Sequence, residues 1–467
     1  MWLNRNPLIS MDASIFRAYD VRGTYPDQLH PEGVQLLGQA IGTEAKKLGQ
    51  HTIVTARDGR LSGEVLQTAL NAGIQASGVD VIDVGMVPTP VLYFAALTLG
   101  SGSGVMVTGS HNPPDYNGFK MMLAGHTLYG DDITGLYDAI QQGALETGSG
   151  AHSQANALDP YLDQIIGDIS LQRPLKIAID CGNGVAGVCA QALFERLGAE
   201  VIPLFTEVDG TFPNHHPDPS KPANLVDLID AVKRTQCDLG LAFDGDGDRV
   251  GVITETGQSI YADRLMMLLS KDVLSRNPGA TVIFDVKCSR HLAPVIERAG
   301  GTPLMWKTGH SLVKAKMKET GALLAGEMSG HIFFKERWLG FDDGLYTGAR
   351  LAEIFARTDA SVSAQFSEIP DDVSTPELNI AVPDAEKFEI VSKTAALIQA
   401  RGLPASTIDG VRVDLDSGWG LIRCSNTTPN LVIRFEAESE DALAEIRTIM
   451  LDALAHADPT LELDTLC

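Results

Sequence analysis

Three aspartates alternate with glycines in LGLAFDGDGDRVGVIT (239–254). Three carboxylates in five residues repel one another, and Gly245 and Gly247 permit a tight loop in which Asp244, Asp246 and Asp248 all face one point. A hard divalent cation offsets that repulsion, and Mg²⁺ is the ion expected where phosphate oxygens complete the shell. A calcium EF-hand is the nearest decoy, because Asp244, Asp246, Asp248 and Glu255 have its acidic spacing. It fails where Arg249 replaces the required glycine and where the flanks read as strands rather than helices.

Three further loops carry chemically useful residues. In GVMVTGSHNPPDYNGFK (104–120) a strand-like run ends at Ser110, and Pro113-Pro114 stops regular structure. The serine is thereby held on a stiff loop beside His111 and Asn112, with Lys120 downstream, and a reactive role is expected. The hydrolase elbow G-x-S-x-G does not fit, since Thr108 and Asn112 occupy its glycine positions. In GEMSGH (326–331), Glu327, Ser329 and His331 alternate, so an extended chain would point them the same way, a mixture suited to vicinal sugar hydroxyls. In RCSNTTPN (423–430), Arg423 with Ser425, Asn426, Thr427 and turn N–H groups would cradle a phosphate, although the same residues are ordinary turn chemistry.

Gly182-Asn-Gly184-Val-Ala-Gly187 fits the dinucleotide fingerprint, but the acidic partner expected after the next strand is not cleanly placed. A tight packing turn is the better explanation. A Walker A sequence is absent.

The elements that must position these loops recur three times. IVTARDGR from Ile53, KIAIDCGNG from Lys176 and VIFDVKCS from Val282 are each a β-branched run ending in Asp, followed by a helical stretch, a glycine and a second strand. Each is one strand–helix–strand unit, so the class is α/β: three similar mixed α/β domains with largely parallel sheets, with chemistry at the carboxyl ends of the strands. SEIPDDVSTPEL (367–378) reads as a linker into a smaller α+β domain, with a helix over 385–400, two strands over 420–436 and a closing helix from Glu440. The domains expected are 1–155, 156–257, 258–370 and 371–467, around a central cleft.

Composition bounds the partners. Of 467 residues, 36 are Lys or Arg and 60 are Asp or Glu, a net charge of −24 that excludes a general nucleic-acid or anionic-membrane binder. The uncharged stretch 84–110 is broken by Pro88, Pro90 and a Gly/Ser run, too short in any piece to span ~30 Å of hydrocarbon. Six scattered cysteines without CxxC pairs and an N-terminus without a long apolar run point to a cytoplasmic protein with reduced thiols.

Together the four loops resemble the α-D-phosphohexomutase superfamily, most closely its bacterial phosphomannomutase/phosphoglucomutase branch, with one motif per domain in order over the whole chain. FRAYDVRG (16–23) also matches, which puts Tyr19 and Arg22 at the mouth of the site. Branches acting on glucosamine phosphate usually carry Gln where this chain has Met328. The resemblance implies an intramolecular phosphotransferase acting on a small phosphosugar. Ser110 would carry a phosphoryl group beside Mg²⁺ held by Ser110, Asp244, Asp246 and Asp248. Glucose and mannose 1-phosphates and 6-phosphates would interconvert through a hexose 1,6-bisphosphate, with glucose 1,6-bisphosphate as activator, feeding nucleotide-sugar and polysaccharide synthesis. Arg22 and Lys120 would stabilise the transferring group, with Lys120 and His111 as proton-transfer candidates. Arg249, Lys287 and His310 would line the cleft, and Glu327, Ser329 and His331 would meet the sugar. Arg423, Ser425, Asn426 and Thr427 would grip the distal phosphate. A monomer is expected.

Two other readings compete. A metal-dependent phosphatase would pass the phosphoryl group to water, but the DxDxT pattern is missing because Arg249 is not followed by Thr. A non-catalytic sugar-phosphate binder would leave Ser110 unmodified.

Overall fold

Strands form where the β-branched runs predict them, and each repeat strand carries its aspartate at its last residue or just beyond it. The computed structural model describes residues 11–99, 102–426 and 428–463. These described residues pack as two compact units, one within 11–260 with 329–365 and the other within 261–328 with 366–463.

The first unit holds two mixed sheets. In one, the order is Val21–Thr24, Tyr116–Leu123, Gly104–Val107, Thr52–Arg57, Asp80–Met86, His152–Gln154. Pairing is parallel from Gly104–Val107 onward and antiparallel on either side of Tyr116–Leu123. The helices Pro31–Lys47 and Gly63–Ala76 cover this sheet and cross at glycines: a Cβ on Gly73 would lie 1.9 Å from the Gln35 carbonyl oxygen, and one on Gly38 2.3 Å from that of Leu70. No larger residue permits that approach. The uncharged stretch becomes the helix Thr89–Thr98, buried through Val91, Leu92, Tyr93, Phe94, Ala95 and Ala96, and the buried strand Gly104–Val107. Its apolarity therefore reflects an interior position; among the described residues no helix is long and apolar enough to cross a membrane.

In the second sheet, Glu200–Leu204, Lys176–Asp180 and Leu239–Phe243 are parallel, and Val250–Thr254 returns antiparallel beside the last. Phe243 pairs with Val250, so residues 244–249 are the loop of a hairpin. The fingerprint glycines serve packing, as expected: a Cβ on Gly187 would lie 2.0 Å from the Thr206 carbonyl oxygen.

The second unit contains a parallel arrangement of Thr302–Trp306, Thr281–Asp285 and Leu324–Gly326. Its antiparallel sheet runs Val373–Ser374, Asn430–Ala437, Gly418–Cys424, Val411–Leu415, Ala405–Ser406. The helices Lys387–Ala400 and Glu440–Ala457 cover it through Ile390, Ile398, Ile446, Met450 and Leu454. The stretch expected as a linker is tied down. Val373 and Ser374 join the sheet, Asp371 pairs with Arg264 at 2.9 Å, and Asp372 takes Arg290 at 2.8 Å and His291 at 3.0 Å. Two of its acids, Asp371 and Asp372, are thus paired with cations of residues 264–291. The five described cysteines are buried and free.

Candidate active site

The first repeat strand ends at Arg57, and the next residue begins a chain of contacts that reaches the serine. Asp58 accepts the Thr108 hydroxyl at 2.7 Å, and Thr108 Oγ1 in turn accepts the Ser110 N–H at 2.8 Å. Arg60 donates to the carbonyls of Ser110 (2.9 Å), Asn112 (2.6 Å), Pro113 (2.5 Å) and Tyr116 (2.8 Å). Ser110 is 3% exposed and sits at φ +49°, a conformation uncommon for a residue with a side chain. Its Oγ lies 3.3 Å from Asp244 Oδ2.

Asp244, Asp246 and Asp248 are each 0% exposed, with one oxygen apiece all within 4.8 Å of one another. Arg249 donates its N–H to Asp244 Oδ1 and its Nε to Oδ2, both at 3.0 Å. Lys120 Nζ is 2.7 Å from Asp246 and 2.5 Å from Asp248, and Thr89 Oγ1 is 2.6 Å from Asp246. Burial, then the adjacent Asp248 and Asp246, pushes Asp244 up to about 8. Burial would also raise Asp248, but Lys120 and His331 hold it well below the usual carboxylate range. Burial alone would lower Lys120; Asp246 and Asp248 overcome it and fix the ammonium as charged. The donor set fits a divalent cation. Three buried carboxylates face only two full-time cations, and Asp246 Oδ1 is buried with no hydrogen-bond partner among the described residues.

Around this centre, Arg22 pairs with Asp20 and donates to Asn112 Oδ1 at 2.6 Å, so it packs onto the serine loop. His111 Nδ1 lies 3.6 Å from Asp218, and His216 donates to the His111 carbonyl. Desolvation, then the guanidinium groups of Arg249 and Arg22, holds the His111 ring well below the ordinary imidazole value. Tyr19 is half-buried in the bend before Val21. His331 Nε2 is 3.3 Å from Asp248 and 3.9 Å from Asp342, and its Nδ1 shares a hydrogen bond with Ser329 Oγ at 3.0 Å. Ser329 and His331 thus meet, but not as alternate residues of an extended chain: residues 327–331 form a turn with Gly330 at φ +98°.

In the other unit, the buried Glu327 accepts the Gly309 N–H at the start of the helix His310–Thr320, beside the buried His310. Asp409 accepts the Thr308 N–H and Arg423 Nε, each at 3.0 Å, which ties the strand bearing Arg423 to the turn that holds Glu327. Lys287 pairs with Glu377 at 3.0 Å. Ser425 Oγ accepts from Thr428 at 2.8 Å, and Asn426 borders a cavity of about 410 Å³ under Phe388 and Val391. Lys387 Nζ gathers the Ser425 and Thr428 carbonyls at 2.7 and 3.3 Å. Thr427 lies outside the described residues.

Sequence reasoning leaves Asp58, Arg60, Thr89, Asp218, Asp342 and Lys387 without a role. Only Asp58 and Arg60 carried a signal, as the polar end of the first repeat strand; Thr89, Asp218 and Lys387 reach their loops across long sequence separations, and Asp342 lies beside His331.

Comparison with known proteins matches four family models in order: the phosphoglucomutase/phosphomannomutase alpha/beta/alpha domains I (13–146), II (159–257) and III (261–373) and the C-terminal domain (377–453). A phosphomannomutase/phosphoglucomutase of Pseudomonas aeruginosa is 56% identical over 452 residues, 97% of this chain and 98% of the relative. A phosphoglucomutase of Neisseria meningitidis is 52% identical over 454 residues, 96% and 98% of the two chains. A crystal structure of a phosphoglucomutase/phosphomannomutase family protein from Burkholderia thailandensis superposes with a TM-score of 0.92 at 54% identity, covering 97% and 99%. The Aspergillus fumigatus N-acetylphosphoglucosamine mutase solved with GlcNAc-6P and magnesium shares the fold, with a TM-score of 0.58 at 16% identity over 90% and 96%. With all four domain models matched and relatives above half identity along nearly the full length, the chain belongs to the phosphoglucomutase/phosphomannomutase family.

Proposed function

We propose that this chain interconverts hexose 1-phosphates and hexose 6-phosphates of glucose and mannose, with Ser110 as a reversible phosphoryl carrier. The observation that carries the reading is the placement of a buried serine oxygen 3.3 Å from one of three clustered carboxylates. Phosphoryl transfer asks little covalent chemistry of a protein; positioning and neutralising charge supply most of the catalysis. Mg²⁺ held by Asp244, Asp246, Asp248 and the Ser110 oxygen would neutralise phosphoryl oxygens.

The protein's own groups do the rest. The phosphoryl group leaves Ser110 Oγ for the free O6 of a hexose 1-phosphate, and Ser110 later recovers the phosphoryl from O1 of the resulting 1,6-bisphosphate. Arg22 lies against the serine loop, where a guanidinium steadies the moving group. Lys120, charged and shared between two carboxylates, is suited to neutralise rather than to accept a proton. His111, next to Ser110 in the chain and with Nδ1 3.6 Å from Asp218, is the group assigned to take the proton of the attacking hydroxyl. Tyr19, Arg249, Lys287 and His310 contact the phosphosugar, with His331 beside Ser329. Glu327 and Ser329 hold O3 and O4, which glucose and mannose share. Arg423, Ser425, Asn426 and Thr427 hold the non-reacting phosphate. Glucose 1,6-bisphosphate primes Ser110. The buried free thiols fit a reducing cytoplasm, and a monomer suffices because one chain supplies every named group.

The test is a coupled assay of both 1-phosphates with Mg²⁺ and a trace of the bisphosphate, run beside intact mass. Wild type should turn over both sugars and carry one phosphoryl group removable by glucose 6-phosphate. Ser110→Ala should lose the added mass and on the order of 10⁴-fold in kcat. Retention of activity by Ser110→Ala would sink the reading.

A further inference from the structure

The nucleophile's backbone is set from both sides by one buried pair. On the amino side, the Ser110 N–H goes to Thr108 Oγ1, whose own proton goes to Asp58. On the carboxyl side, the Ser110 carbonyl goes to Arg60, and Arg60 Nε lies 3.3 Å from the same Asp58. The carbonyls of residues 112, 113 and 116 converge on that one guanidinium as well. Four carbonyls from a non-helical loop would otherwise repel one another or seek water, and Arg60 is buried at 3% exposure.

Its neighbours are shaped to admit it. A Cβ on Gly109 would stand 2.4 Å from Arg60 Cζ, so only glycine lets the guanidinium pass beneath the loop. The Phe212 ring lies 5.3 Å from Cζ. A planar fork of five donors can meet several acceptors in fixed directions, which an ammonium on a flexible stem cannot.

We propose that Arg60 is a positioning residue for phosphoryl transfer: by gathering the carbonyls of residues 110, 112, 113 and 116 it sustains the strained Ser110 backbone and aims Oγ at Asp244. The inference rests on the reading of Ser110 as phosphoryl carrier. Arg60 touches neither the carboxylate cluster nor Oγ; it acts through the loop.

The experiment is Arg60→Lys, which keeps the charge and loses the fork. Dephosphorylated protein is mixed with glucose 1,6-bisphosphate and Mg²⁺, quenched over time and weighed intact, while bisphosphate affinity and steady-state kinetics are measured separately. Expected are a loss of about 10²-fold in both the rate of Ser110 phosphorylation and kcat, with affinity and KM within about threefold of wild type. A purely structural role would lower thermal stability without separating kcat from KM. If Arg60→Lys does not fold, Gly109→Ala decides, because its Cβ would stand 2.4 Å from Arg60 Cζ and push the guanidinium off the carbonyls; a kcat loss of about tenfold at steady KM is expected. Phosphorylation within about threefold of wild type in the folded variant overturns the inference. A wild type that never gains a phosphoryl group overturns the serine reading and this inference together. A phosphorylated wild type beside an unimpaired Arg60→Lys overturns the inference alone.

Discussion

Gly245 lies so close to Ser110 that a Cβ on the glycine would stand 2.3 Å from the serine's carbonyl oxygen. The loop of carboxylates and the loop of the serine are thus in backbone contact, and the 3.3 Å separation of Ser110 Oγ from Asp244 depends on it. Gly245→Ala forces that contact apart by roughly an ångström without touching any polar side chain. Misplacement on that scale costs about 10²-fold in kcat. Steady-state assays of the purified variant should show that loss with KM for glucose 1-phosphate little changed.

What the sequence made legible is local. The D-x-D-x-D spacing specifies its own geometry, because glycines between acids on a strand-to-strand turn leave few arrangements other than convergence. The alternation of Glu327, Ser329 and His331 misled, since same-side placement requires an extended backbone and Gly330 at φ +98° turns the chain instead. Lys120 was recognisable as a cation near the serine, but its two carboxylate partners lie more than 120 residues away in sequence. Arg60 showed only as a polar residue after the first repeat strand and Lys387 not at all, because each acts on backbone carbonyls of another loop and no side-chain pattern records that.

A divalent cation should stabilise the fold as well as support turnover. Three buried carboxylates with two cations among them leave the cluster short of positive charge. Mg²⁺ at about 100 times its Kd should add about 2.7 kcal/mol to unfolding free energy, and a chelator should remove it. Asp246→Asn should lose most of that increment along with activity. Urea unfolding of both proteins with Mg²⁺ and with EDTA measures it. Equal increments would exclude Asp246 as a ligand.

One pH dependence lies away from this centre. His215 Nε2 is 3.0 Å from Asp180, the residue ending the second repeat strand, and its ring packs edge-on to Phe205 at 5.4 Å. Burial alone would lower its pKa, but the hydrogen bond and charge of Asp180 raise it above the ordinary 6.5. The folded state therefore binds the proton more tightly than the unfolded chain. That stability is fully present below about pH 6.5 and is lost as pH rises through the raised value. Wild type should lose more stability than His215→Gln between about pH 6 and 8.5, as read from the shift in urea midpoint. Parallel midpoints would show the pair to be uncoupled from folding.

Lys387 offers a way to disturb the loop of Ser425 and Thr428 alone. Its ammonium donates to the carbonyls of Ser425 and Thr428, and its remaining partner, Asp384, is half exposed, so removing the charge strands no buried carboxylate. Lys387→Met keeps most of the stem and should leave the fold intact. Hydrogen bonds from a charged donor contribute about 1.5–3 kcal/mol, so KM for the hexose phosphates should rise by about tenfold or more. Ser110, Arg22 and Lys120, to which we assign the transfer step, belong to the other unit, so kcat at saturation should stay within about threefold. That division between KM and kcat is what a loop gripping the non-reacting phosphate requires. A fall in kcat at constant KM would instead place residues 425–428 in the transfer step and remove them from ground-state binding.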